Sequence, residues 1–157
     1  VGMMLDCTFK TKKGRFNYRV GGIILKDEKM LVITNSKENY YYSIGGRVQM
    51  NETMDQAIER EVFEETGCHI LTKRLGIIHE NFFTSSVTNE KYHEISMYYY
   101  VDLKEKVVEC LSINEFGSEE SLVWLPLKEL EKFDLRPDFL KNILSYEKTR
   151  IHHLVTE

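Results

Sequence analysis

Proline is nearly missing: two occur in 157 residues, and neither belongs to a Pro-, Gly- or Ser-rich tract. With no low-complexity stretch and no internal repeat, nothing points to a disordered arm or a solenoid. Cysteine is scarce too. Cys7, Cys68 and Cys110 are an odd number with no C-x-x-C pair, which argues against a disulfide framework and for a reducing interior. No apolar run approaches bilayer-spanning length, and the beginning lacks the pattern of a secretory signal. A cytoplasmic location without a membrane partner is expected. Positive charge is not in excess either: 21 Lys and Arg against 25 Asp and Glu leave a formal net charge of −4. That balance argues against a general duplex-binding face, so no DNA partner is expected.

What is present reads as an ordinary globular protein. Hydrophobic residues make up 42% and charged residues 29%, enough for one domain over residues 1–157 with a substantial core. The noticeable basic cluster is Lys10, Lys12, Lys13, Arg15 and Arg19. Its plain reading is a solvated strand edge; contact with substrate phosphates is the alternative.

The β-branched runs at 17–26 and 29–34, parted by Asp27 and Glu28, predict a hairpin in which Gly21 and Gly22 permit a bulge or close backbone approach. Tyr40, Tyr41, Tyr42 and Ser43 form a short extended piece leading to Gly45 and Gly46. Thr53 with Gln56 has the capping-box pattern that opens a helix, and Gly67 suits its end. Residues 71–83 and 92–103 predict a second hairpin around a polar turn. Residues 104–120 show no period and are expected to be irregular, with a last short strand at 121–125. A short helix is expected at 127–132. A final helix begins near Pro137, its Phe139, Leu140, Ile143 and Leu144 forming a stripe that packs on the sheet. Strands interleaved with two substantial helices predict an α/β layer protein.

The helix at 53–66 breaks its own pattern. Met54, Ala57, Ile58 and Val62 define an inward stripe. At about 100° per residue, Glu61 and Glu65 project into the middle of it, with Glu64 at its border. A solvated helix would carry these carboxylates on the opposite face, and polar residues misplaced for folding are where function is expected. Carboxylates this close repel one another unless a cation compensates them. Mg²⁺ or Mn²⁺ suits oxygen-only ligands, whereas Zn²⁺ would call for His or Cys that this segment lacks. Arg60 lies beside Glu61 and four residues before Glu64, placed to orient either. An ordinary charged helix with internal ion pairs is the plain alternative.

The flanking residues fix a longer spacing: Gly46, Glu52, Arg60, Glu61, Val62, Glu64, Glu65, Gly67 and Cys68. From 46 to 68 the chain resembles the Nudix signature, G-x5-E-x7-R-E-U-x-E-E-x-G-U, where U is bulky and apolar. Cys68 replaces the usual aliphatic residue in the last position, a mild departure because a buried Cys behaves as a small hydrophobe. Ile44 stands where many relatives have Pro, and Gln49 where many carry a further Glu. A hairpin before the motif, and a Trp-containing strand with a terminal helix after it, extend the resemblance to most of the chain.

The resemblance implies a Nudix-type α/β/α sandwich with a central mixed β-sheet. It also implies hydrolysis of the pyrophosphate linkage of a nucleoside diphosphate joined to another group, by water attack at phosphorus with Mg²⁺ or Mn²⁺. It makes Glu61, Glu64 and Glu65 the metal ligands, Glu52 an auxiliary one, and Arg60, Glu61 and Glu64 the catalytic set. Gly45 and Gly46 would let backbone approach the phosphates, with Arg19 and Tyr42 as further substrate contacts. The general base is not fixed in the family; Glu115, Glu119, Glu120, Glu80 and Glu94 are candidates. Ring stacking on substrate is open to Tyr40, Tyr41, Tyr42, Phe82 and Phe83, although most of them are expected to be structural. The pairs His79-Glu80 and His93-Glu94 are expected to hydrogen-bond across neighbouring strands, and His152 and His153 to lie in a tail. A small nucleotide is the expected partner, RNA 5′-end processing is disfavoured by the acidic balance, and a homodimer is compatible with the family. A non-catalytic nucleotide-binding module is the competing class, which usually loses the signature carboxylates that this chain keeps.

Overall fold

The computed structural model describes residues 4–108, 111–113 and 119–157, with backbone alone at 111–113. In chain order the elements are β1 Thr8–Thr11, β2 Gly14–Ile23, β3 Leu25–Lys26, β4 Lys29–Asn35, β5 Glu38–Tyr42 and β6 Ile44–Arg47. There follow α1 Met54–Thr66, β7 Ile70–Thr84, β8 Lys91–Leu103, β9 Leu111–Ile113, β10 Glu119–Pro126, β11 Leu135–Arg136 and β12 His152–Thr156. Two 3-10 segments, Leu127–Lys132 and Asp138–Ser145, bracket β11.

The strands form two mixed sheets. One runs β1-β2-β8-β7-β12, with β6 sharing the β1 edge of β2; the other runs β11-β5-β4-β10-β9, with β3 on β4. Parallel pairs join β2 to β8, β12 to β7 and β11 to β5. Successive side chains point to opposite faces, and both faces are buried. Tyr99, Leu31 and Ile33 enter a cluster beneath α1 with Ala57, Ile58 and Val62. Tyr98, Met30 and Val32 enter another with Leu140 and Ile143 of the second 3-10 segment. The α/β/α layering holds, with 3-10 turns serving as the third layer.

The α1 helix forms as its ends predict. Thr53 accepts from the Gln56 backbone N–H at 3.1 Å while the Gln56 side chain accepts from the Thr53 N–H at 2.9 Å. Gly67, at φ 73°, closes the helix by donating to the Phe63 carbonyl. The antiparallel β7–β8 hairpin also appears as expected.

Five expectations are corrected. The first hairpin is confined to Leu25 and Lys26 against Lys29 and Met30, turning on Asp27 and Glu28 at φ 50° and 61°; β2 and β4 belong to different sheets. Strand β9 and the head of β10 fall within the stretch expected to be irregular, paired to each other. The last helix is a 3-10 segment interrupted at Asn142, so α1 is the one substantial α-helix among the described residues. Leu144 points outward, 62% exposed, while Phe139, Leu140 and Ile143 are buried. Finally, β10 is not the last strand, and His152 and His153 sit in β12 rather than in a tail.

Candidate active site

The carboxylates of α1 meet the paired glycines of β6. Gly45, at φ 149°, would place a Cβ 2.1 Å from the Val20 carbonyl oxygen, and a Cβ on Gly46 would stand 2.3 Å from Glu61 Oε1. Only residues without side chains let β6 run this close to β2 at Gly45 and to the helix at Gly46. Gly45 then donates its N–H to Glu65 Oε2 at 2.9 Å. Ile44, in the position where a Pro is common, is fully buried in the cluster beneath α1. Cys68 is buried as well, in keeping with its apolar role.

Arg60 organises the acidic side chains. Its Nε and Nη2 donate to the two oxygens of Glu52 at 2.7 and 2.9 Å, its Nη1 to Glu61 at 2.8 Å and Glu64 at 3.3 Å, and Nη2 also to the Arg47 carbonyl at 3.0 Å. Glu52 further accepts the Gln49 N–H at 3.0 Å, so both of its oxygens are engaged. The Arg60 hydrogen bonds hold its carboxyl below the ordinary range. The Gln49 side-chain oxygen is buried without a hydrogen-bond partner.

Glu61 and Glu65 behave in the opposite way. Burial raises the Glu61 carboxyl despite Arg60 beside it. Burial, reinforced by the charge of Glu61, raises Glu65 well above the ordinary value. Glu64 remains more than half exposed at the border. Arg19 lies opposite Arg47 on β6 and Ser96 on β8, and its charge acts on both Glu61 and Glu65.

Of the glutamates considered as base, Glu120 joins this group. It accepts the Tyr42 hydroxyl at 2.7 Å, and its charge is felt at Glu65. Tyr42 is itself pushed far above the usual phenol range by burial and the Glu120 hydrogen bond, so it stays a donor. Glu119 is exposed at the head of β10. Glu80 pairs with His153 at 2.7 Å and Glu94 accepts from Asn17 at 2.7 Å. Glu115 lies outside the described residues. The two His-Glu pairs do not bond to one another, because the β7–β8 register sets His79 opposite Ser96 and Phe82 opposite His93. Phe82 and His93 pack ring on ring at 4.4 Å, and Phe83 stacks on Tyr92; Tyr41 turns to the other face against Phe133.

Among the described residues no three His, Cys, Asp or Glu side chains stand in a preformed metal cage. The donor chemistry nevertheless fits a hard divalent ion: two half-buried carboxylates with raised pKa, a third at their rim, and no His or Cys ligand in the helix.

The NUDIX domain family model matches residues 15–145. The chain belongs to the Nudix family. Similar folds include the Mutator MutT protein from Bacillus halodurans, with TM-score 0.64 and 14% identity over 87% of this chain and 89% of that one. The MutT NUDIX hydrolase from Burkholderia pseudomallei gives 0.57 and 20%, over 72% and 84%. A UDP-X diphosphatase gives 0.55 and 17%, over 88% and 66%. No curated protein sequence matches. As the Nudix signature implies, the helix carries the acidic cluster, but Arg136, which stacks on Tyr40, was not foreseen. Nothing in its local sequence, Asp134-Leu-Arg-Pro137, marks it; only the parallel β11–β5 pairing brings it beside the site.

Proposed function

We propose that this Nudix protein hydrolyses the pyrophosphate linkage of a nucleoside diphosphate joined to a second group, releasing two phosphate monoesters. The observation that carries the reading is the largely, not fully, buried pair Glu61 and Glu65, set into the apolar face of α1 against the glycines of β6. Such a pair is costly for folding and useful for holding a cation.

Glu61, Glu64 and Glu65 would hold Mg²⁺ or Mn²⁺, with Glu52 in an auxiliary place through Arg60. When bound, such an ion offsets the charge of the diphosphate and of the transition state. The chain's own residues do the rest. Arg60 fixes the direction of Glu61 and Glu64, while Arg19 receives phosphate oxygens and the side-chain-free backbone at Gly45 and Gly46 lets the phosphates approach the carboxylates. Glu120, steadied by the Tyr42 hydroxyl, accepts the proton of the attacking water. Water's oxygen bonds to phosphorus as the bridging P–O bond breaks, and the bridging oxygen departs with the second phosphoryl group.

The test is a screen of nucleoside diphosphate derivatives with Mg²⁺ or Mn²⁺, comparing the wild type with Glu64→Gln and Glu120→Gln. Cleavage by the wild type is expected to fall at least about 100-fold in each variant. Binding without cleavage, equal in all three proteins, would overturn the assignment in favour of a nucleotide-binding module.

A further inference from the structure

Tyr40 and Tyr42 alternate onto the same face of β5, their rings 6.0 Å apart. Tyr42 is the member fastened to the carboxylate cluster through Glu120. Tyr40 lies farther out and is covered on one face by Arg136, whose guanidinium carbon stands 3.9 Å from the ring centroid. Each part of this stack is held from behind. The Tyr40 hydroxyl donates to Glu38, and Glu38 also accepts from Asn35 at 3.3 Å. Arg136 donates through Nε and Nη2 to the two oxygens of Asp134, at 3.3 and 3.2 Å.

A guanidinium held along one edge by Asp134 and backed by a phenol ring is fixed in its plane and leaves its other face open. The Arg136 side chain is half exposed. An exposed surface Arg ordinarily gains little from being fixed, because its rotamer freedom is lost for weak contacts. Here the fixed plane is cationic and flat, and Arg136 pairs across β11–β5 with Tyr42, the residue bonded to Glu120. The group that matches it is an electron-rich planar ring, which stacks on guanidinium and gains from the positive charge.

We infer that the Tyr40–Arg136 stack is the nucleobase-binding platform, taking the base of a nucleotide whose phosphates reach the Glu61 and Glu65 carboxylates past Tyr42. The inference rests on the nucleotide reading above, yet it concerns binding and not turnover. The preformed geometry means that little ordering remains when the base arrives, so the platform contributes to affinity and leaves the chemical step alone.

The experiment uses the full chain without added metal, titrated by calorimetry with AMP, GMP, CMP and UMP, and with ribose 5-phosphate as the base-free control. At least one nucleotide is expected to bind about 10-fold or more tightly than ribose 5-phosphate, the discrimination that ring stacking supplies. Arg136→Ala and Tyr40→Leu are expected to abolish that preference while leaving ribose 5-phosphate binding unchanged. Arg136→Lys, which keeps the charge but not the plane, is expected not to restore it. Tyr40→Phe, which keeps the ring, is expected to retain it and controls for folding. Equal binding of nucleotides and ribose 5-phosphate by the wild type overturns the proposal, as does an undiminished preference in Arg136→Ala. Because no turnover is measured, failure of the hydrolase assignment would leave this result readable by itself.

Discussion

Arg60 is the residue on which the acidic site depends for its shape. It is the shared partner of Glu52, Glu61 and Glu64, and its own pKa is raised, first by Glu52. Truncation would leave the mostly buried Glu52 and Glu61 without their cation. Arg60→Ala is therefore expected to lower stability by about 2–3 kcal/mol, read as a lower urea midpoint, below the cost of breaking a fully buried pair because the guanidinium is partly exposed. Glu65 gives a prediction with the opposite sign from an ordinary salt-bridged acid. Its folded pKa lies above the unfolded value, so between the two the native state holds a proton that the unfolded state has released. Stability then falls as pH rises through that window and stays reduced above it. Glu65→Gln is expected to match the wild type near pH 4 and to exceed it at pH 8 in metal-free urea unfolding. Added Mg²⁺ is expected to stabilise the wild type more at pH 8 than at pH 6, because the ion competes with the proton. The signature residues were legible in the sequence because they lie within one helix and one turn, where spacing determines geometry. Arg19, Glu120 and Arg136 reach the site only through strand pairing, so spacing said little about them.

At the scale of elements, the α1 helix and the segment after Pro137 show when periodicity is trustworthy. The helix carries its own start and stop signals, and the structure follows them. The Phe139, Leu140, Ile143 and Leu144 pattern also fits a 3.6-residue period, but the segment winds as a 3-10 turn. The non-helical residue Asn142 breaks the winding between Leu140 and Ile143, and past that break Ile143 is buried with Leu140 while Leu144 is turned to solvent. Leu140→Ala is accordingly expected to cost about 2–5 kcal/mol, and Leu144→Ser to change stability by less than about 0.5 kcal/mol. Chemical denaturation of the two variants separates the 3-10 arrangement from an α-helix, in which both leucines would be buried. The strands β11 and β12 escaped the sequence for a related reason. Each is a short parallel addition whose partner lies far along the chain, and neither has the alternating pattern of a half-buried strand.

For the molecule as a whole, β12 closes one side of the first sheet and carries a proton-sensitive contact. His79 on β7 is 2% exposed, bonds to Thr156 at 2.8 Å and packs edge-on against Phe139. Burial lowers its pKa from 6.5 to about 4. The unfolded chain therefore binds a proton that the folded one refuses, and stability drops as pH falls from the unfolded value through the folded one. The loss contributed by this residue is expected to be on the order of 3 kcal/mol. Urea unfolding across pH 4 to 7 is expected to show a shallower slope for His79→Gln than for the wild type. The pairing scheme also has a consequence in time. Arg15 waits for Tyr92, Met30 for Leu125 and His153 for Ile78, so the ladders that tie β2 to β8, β4 to β10 and β7 to β12 join segments far apart in the chain, while pairs such as β1–β2 and β7–β8 close locally. Loops that long must close before their contacts reward them, which places folding in the millisecond-to-second range typical of non-local topologies. Stopped-flow refolding would register it as a slow approach to a native state whose acidic helix carries its own start and stop signals yet waits for the sheets that give it a site.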